Sequence, residues 1–263
     1  MPASFAHFRF GDRMLTHMPQ KIRDAVEKHR QLYQIGTLGP DLLFYHNPLM
    51  IGNVVRLGNK IHLQPGSVLL SKACRRLRLK PEVPAFVYLY GLLTHFCLDS
   101  VCHPYVNALA FDGLASHSAI ESDFDRSLME LDGIAAPHNY VPQEEIRLTQ
   151  EHSRLISRFY RGTTPGQIRL CAKHMRQLGR AFAAPKSHHT RNMLKSILRC
   201  TAGEMAEGLV MEDCPNPRLL ESTRQLHALF REAETRFPLM LENLLGHLKK
   251  NDPLGPDFHR IFG

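Results

Sequence analysis

Residues 84–104, PAFVYLYGLLTHFCLDSVCHP, decide the fold. From Phe86 to Thr94 the chain is apolar almost without a break, the pattern of a helix buried on most of its circumference. On such a helix His95 and Asp99, four residues apart, lie one above the other with Cβ atoms about 5–6 Å apart. Neither group is cheap to bury without a partner. Either they satisfy each other or a cation lies between them. His103 follows after four more residues, and Pro104 behind it suits a helix ending there.

The continuation, YVNALAFDGLASHSAIE over 105–121, contains a loop with Gly113 and then repeats the spacing of four in His117 and Glu121. Two such pairs flanking His103 give five N/O donors in twenty-seven residues. A single histidine on an apolar face is ordinarily a hydrogen-bonded core residue. The repeated pairing favours a metal, and zinc accepts this mixture of imidazole and carboxylate. Cys97 and Cys102 stand in the same stretch as soft donors, though their neighbours already supply the expected ones.

The ordered set His95-x3-Asp99, His103, His117-x3-Glu121 resembles the core of the zinc-dependent phospholipase C family, which is related to the P1-type nucleases. The N-terminal half adds His7 in Ala6-His7-Phe8, Asp41 in Gly39-Pro40-Asp41, and His62 in Gly58-Asn-Lys-Ile-His62, so the resemblance spans roughly residues 3–125. It implies an all-α multi-helix bundle that hydrolyses phosphodiesters at two or three zinc ions. Asp41, His62, His95 and Asp99 would hold one ion, and His103, His117 and Glu121 a second. His7, with Asp99 as a bridge, would contribute to a third. Asp41 would also orient or deprotonate the attacking water. His46 is close enough to Asp41 in sequence to compete with His62; the Gly58–His62 block resembles the family's better. One departure concerns the third ion. Secreted members bind it through a processed N-terminal tryptophan, whereas this chain has no tryptophan and removal of Met1 would expose Pro2. Two metals suffice for in-line displacement.

Composition bounds the rest. A chain of 263 residues supports one sizeable core, and the expectation is a single helical domain over 1–263 with the metal-site core at about 3–125. The net charge of +8 points to anionic partners. The dense basic clusters, Arg75–Lys80 and Lys249-Lys250, are not interleaved with aromatics, which argues against specific nucleic-acid binding. A phosphate ester, including a phospholipid headgroup, is the expected partner; the oligomeric state is not legible. No eighteen-residue apolar run exists, so no transmembrane helix is expected. The N-terminus lacks an apolar stretch behind a basic start, which suggests a cytoplasmic location. The six scattered cysteines then read as reduced thiols.

Other functional classes remain: a P1-type nuclease, or a non-catalytic helical protein that keeps metal for folding alone. Structural zinc sites are usually closed and cysteine-rich, so an all-histidine and carboxylate set favours the hydrolase.

Along the chain, the patterns predict a turn carrying His7 and helices over 19–33 and 67–79. Asp123 and Asp125 continue the helix after Glu121 as solvent-facing charges. Additional packing helices fill about 143–249: 143–160, a Thr164-Pro165 start running to about Phe182, 186–211, and 218–249 with an interruption at Pro238. An irregular tail occupies 251–263.

Overall fold

The computed structural model describes residues 4–47, 52–184 and 187–263, without the side chains of Thr201, Ala202 and Met205. Met1, Pro2 and Lys186, which figured in the reading above, lie outside the described residues. The protein is all-α. Its helices are α1 (Ser4–Met14), α2 (Gln20–Lys28), α3 (Arg30–Thr37), α4 (Asn53–His62), α5 (Gly66–Leu79), α6 (Val83–Phe111), α7 (His117–Leu131), α8 (Gln150–Ser157), α9 (Pro165–Ala183), α10 (His188–Ala202), α11 (Glu204–Glu207) and α12 (Leu220–Lys250). A 3-10 helix over Gly39–Tyr45 follows α3. Among the described residues the only β-type pairing is an isolated antiparallel bridge between Pro65 and Ile261.

Helix α6 is the axis. Its side chains are buried almost continuously from Ala85 to Val106, and α1, α2, α3, α5, α7 and α12 pack around it. By length and composition this 29-residue helix would also cross a membrane, which the lack of an uninterrupted apolar run did not anticipate. Its most apolar window is 94% covered by the rest of the protein, the environment of a core helix. The helix does not stop at Pro104 but continues to Phe111. A helical proline strips the carbonyl four residues earlier of its partner, and here that carbonyl, of Ser100, accepts from Arg260 Nη1 at 3.4 Å. α12 likewise runs through Pro238 without interruption.

Helix α3 crosses α6 at unusually short range because both contribute glycine. A Cβ on Gly91 would lie 2.4 Å from the Tyr33 carbonyl oxygen, and one on Gly36 would lie 2.6 Å from that of Tyr88. The Tyr33 hydroxyl then donates to the Gly11 carbonyl at 2.7 Å, tying α3 to α1. The crossing sets the end of α3, and hence the Gly39-Pro40-Asp41 turn, directly over the polar part of α6. Gly39 has φ +49°, and any Cβ there would meet the His95 ring at 2.5 Å.

Several boundaries differ from those expected. His7 sits on a full helix rather than a turn. The 19–33 segment is two helices, α2 and α3, broken at His29 (φ −128°, ψ 36°). Helix α8 starts only at Gln150, because the Thr149 hydroxyl accepts the His152 amide and caps it there. Thr164 forms a capping box with Gln167 at the start of α9. The segment to Met211 is divided by Gly203 (φ +84°) into α10 and α11. The tail is not loose: Phe258 and Phe262 are buried at 1% and 0% exposure, and the Gly66 amide donates to the Arg260 carbonyl at 2.9 Å.

The crossing yields a prediction. Gly91→Ala should destabilise the fold by about 3 kcal/mol or more, since backbone rather than a flexible side chain must yield. Gly166→Ala, whose nearest neighbour would be 3.8 Å away in an open first helical turn, should be neutral or stabilising by up to about 1 kcal/mol. Urea denaturation followed by circular dichroism checks both; equal effects would contradict the crossing as described.

Candidate metal centre

The spacing of four on α6 stacks His95, Asp99 and His103 along one stripe of an otherwise apolar helix. α7 brings His117 and Glu121 alongside, the Gly39–Tyr45 segment brings Asp41, the end of α4 brings His62, and α1 brings His7. All eight side chains singled out from the sequence therefore converge. They form three groups whose donor atoms lie within 4.8 Å of one another: His7, His95 and Asp99; Asp41, His62 and His95; His103, His117 and Glu121. Asp99 is central, with Oδ1 3.2 Å from His7 Nε2 and Oδ2 2.9 Å from His95 Nε2 and 3.7 Å from His103 Nδ1. His46 takes no part in any group, whereas His62 Nε2 lies 2.9 Å from Asp41 Oδ1. Cys97 instead donates to the Ala233 carbonyl at 3.4 Å, and neither it nor Cys102 joins a group.

Proton positions say what these contacts are. A backbone carbonyl cannot donate, so a ring nitrogen facing one must carry the hydrogen. His62 Nδ1 donates to Gly58 at 2.8 Å, His95 Nδ1 to Thr37 at 3.2 Å, and His103 Nδ1 to Phe262 at 3.1 Å. His117 Nδ1 sits 3.0 Å from Asn107 Oδ1. Each Nε2 is thereby left as a lone pair aimed inward at a carboxylate: Asp41 for His62, Asp99 for His95, and Glu121 for His103 and His117, the last two at 3.2 and 3.1 Å. Acceptor facing acceptor is repulsive unless a ring takes a second proton or a cation lies between them. His62 Nε2, His95 Nε2 and Asp99 Oδ2 are also buried without a hydrogen-bond partner. Outer oxygens that fix the tautomer are what metal-ligating histidines require. The donor set fits zinc.

Charge is balanced within the cluster. Burial raises the Asp99 carboxyl, but His103, His95 and His7 outweigh it and hold the group well below the usual carboxylate range. Burial also opposes ionisation of Asp41, yet the neighbouring His62 and His95 bring it down to about 2. Burial lowers His103, and Asp99 and Glu121 more than reverse this, to about 9. Asp41 and His117 form the most accessible edge, with side chains 14% and 23% exposed against 0% for His95. Inside, a cavity of about 20 Å³ bordered by His7, Asp99, His103 and Glu121 has room for ions or a water but not for a phosphodiester.

Residues the sequence did not single out complete the shell. Asp123 and Asp125 are buried, not solvent-facing. Asp123 pairs with Arg126 at 3.0 Å and accepts from Thr223 at 2.7 Å. Asp125 clamps the start of α1, its oxygens accepting the Phe5 amide at 3.1 Å and the Ala6 amide at 2.9 Å, next to His7. The Phe262 carbonyl and the Gly263 amide, which donates to the His62 carbonyl at 3.1 Å, bind the tail to two of the histidines. Residues two apart on a helix point to different faces, so Asp123 reads as solvent-facing until Arg126 and Thr223 are seen against it; the Phe258–Phe262 pair, four apart, was the available sign that the tail packs.

A model of the zinc-dependent phospholipase C family matches residues 6–173, well over half of the chain and all eight converging side chains. No curated protein and no solved structure matches the chain.

Asp125→Ala should leave helicity intact yet shorten metal retention under chelator challenge, because His7 loses its fixed helix start; unchanged retention would contradict the clamp. The same group has a pH signature. Burial, against the two amides and His7, raises Asp125 from 3.8 to about 7. The native state therefore holds a proton that the unfolded chain has lost. Its contribution is full below the unfolded value and declines as pH rises through about 7. The stability of the native protein relative to Asp125→Asn should accordingly fall between about pH 5 and about pH 8; a constant difference would contradict it.

Proposed function

The chain belongs to the zinc-dependent phospholipase C family, and we propose that it hydrolyses a phosphodiester, a phospholipid headgroup being the leading substrate class, at a centre holding at least two zinc ions. The observation that carries this reading is the set of inward Nε2 atoms facing ionised carboxylates. His103, His117 and Glu121 would hold one ion, and Asp41, His62, His95 and Asp99 another. His7 stands beside Asp99 as the donor for a third. Zinc bound there supplies Lewis acidity toward a phosphoryl oxygen and makes water nucleophilic near neutral pH.

The protein's own groups do the rest. Asp41 stays ionised at neutral pH, with Oδ1 engaged by His62 and Oδ2 4.0 Å from His7. Its less engaged oxygen orients water and accepts its proton. Because Pro40 fixes its own φ and Gly39 has no Cβ to collide with His95, this carboxylate is held rigidly. The Asp41–His117 edge is where a phosphate arrives, and the apolar wall behind it keeps competing water out of the centre.

The small enclosed cavity favours a second reading, a metal-stabilised helical protein without turnover. Hydrolysis of bis(p-nitrophenyl) phosphate and of phosphatidylcholine vesicles by zinc-loaded protein separates the two. Turnover should fall about 10²–10⁴-fold in Asp41→Asn, the range for removing a general base, with most of the bound zinc retained. Zinc-loaded protein that hydrolyses neither substrate class would leave the structural reading; full activity in Asp41→Asn would remove Asp41 from its role.

A further inference from the structure

A second concavity, of about 440 Å³, is walled by Arg147, Arg169, Lys173 and Arg176 over an apolar floor that includes Leu148 and Leu170. None of its lining residues belongs to the imidazole–carboxylate groups. It has no acid, base or nucleophile of its own, so it is not a place for chemistry. Its size is that of a small-ligand pocket, roughly 300–1,000 Å³.

The charge arrangement is costly unless something uses it. Arg169, Lys173, Arg176 and Arg180 recur along α9 at intervals of three or four residues, which stacks like charges on one helix face and destabilises it. One carboxylate answers them. Glu144 takes a forked pair of bonds from Arg180 and lies 3.9 Å from Arg147. Among the described residues Arg169 and Lys173 make no ion pair. The heads of Arg176 and Arg147 both donate to one carbonyl, that of Ile146, at 2.6 and 3.1 Å. Two guanidinium groups are thus anchored side by side, and Glu144, already engaged by Arg180, is the carboxylate they must share. Burial together with the charges of Arg147 and Arg180 also lowers the pKa of Arg176, the sign of an under-neutralised cluster.

We propose that this groove binds an anion carrying two or more phosphate groups, at a site separate from the hydrolytic centre. Arginine forks match phosphate oxygens in pairs, and a neighbouring lysine adds a mobile point charge. The apolar floor accepts the carbon skeleton between the phosphates. Two sources share this chemistry: a soluble organic bisphosphate, and an acidic phospholipid headgroup that carries two phosphates. The opposite side of α9 reaches the segment that carries Asp41, where His174 Nδ1 donates to the Tyr45 carbonyl at 3.1 Å. Helix α9 therefore lines the groove and also touches the segment that carries Asp41.

The test uses zinc-loaded full-length protein with two probes. One is fructose 1,6-bisphosphate followed by titration calorimetry. The other is sedimentation with vesicles of phosphatidylcholine containing cardiolipin, whose headgroup carries two phosphates, against vesicles of phosphatidylcholine alone. The variant is Arg169→Glu with Lys173→Glu, two exposed positions whose exchange should leave circular dichroism and zinc content unchanged. The control is Lys249→Glu with Lys250→Glu, which makes the same change in net charge at the exposed end of α12. Binding of at least one probe should weaken about tenfold or more in the groove variant, the scale of losing charge-assisted bonds. It should stay within about twofold in the control, whose exposed charges do not line the groove. Binding of the bisphosphate identifies a soluble ligand, and binding of the acidic vesicles alone identifies a headgroup. Absence of binding to both probes overturns the proposal. So does equal weakening in groove variant and control, which would reduce the effect to net charge.

Discussion

A stripe of three polar side chains, His95, Asp99 and His103, runs along the most deeply buried helix of this protein, and the remaining structure is arranged to make that burial tolerable. Burial alone would push Asp99 toward its neutral form and the histidines toward theirs. Instead His62, His95 and His103 are each oriented from outside by a carbonyl oxygen, and their inward Nε2 atoms meet carboxylates. Such a cluster is stable only if it gains charge, from protons or from metal. Family membership and geometry both point to metal, and the apolar mantle around α6 makes the interactions strong by keeping their surroundings low in dielectric.

Backbone packing, not side-chain chemistry, brings the pieces within reach. Gly36 and Gly91 let α3 approach α6 closely enough for the Thr37 carbonyl to receive His95 and for Gly39 to lie on its ring. From the far end of the chain, the Phe262 carbonyl performs for His103 what Thr37 performs for His95. The centre is thus assembled from the first helix, the middle of the chain and the last residues. Loss of any one would release a histidine while leaving most of the helical mantle in place.

Much of this was legible in the sequence, for a physical reason. The period of four is a property of the helix itself, so His95-x3-Asp99 and His117-x3-Glu121 declare a common face before any tertiary structure is known. The all-α class follows from the same periodicity. Features created by long-range packing were not legible. Pro104 reads as a stop until Arg260, from the tail, is seen to satisfy the Ser100 carbonyl. Asp125 reads as a surface charge until the amides of Phe5 and Ala6 are seen beneath it. The basic face of α9 is dispersed in sequence at positions three and four apart and becomes a cluster only on a helix. His46 is far nearer to Asp41 along the chain than His62 is, yet the path of α4 brings His62 and not His46 onto that carboxylate.

The central claim is that the inward-facing imidazole and carboxylate pairs are metal ligands rather than a self-satisfied core. Elemental mass spectrometry of never-chelated protein, beside a His95→Ala, His117→Ala double variant, addresses it most directly. The account predicts two or more zinc ions per chain, lost in the variant while its helical content persists. A chain with no bound zinc, or with a content the two substitutions leave unchanged, would contradict it and return these residues to the role of hydrogen-bonded core groups.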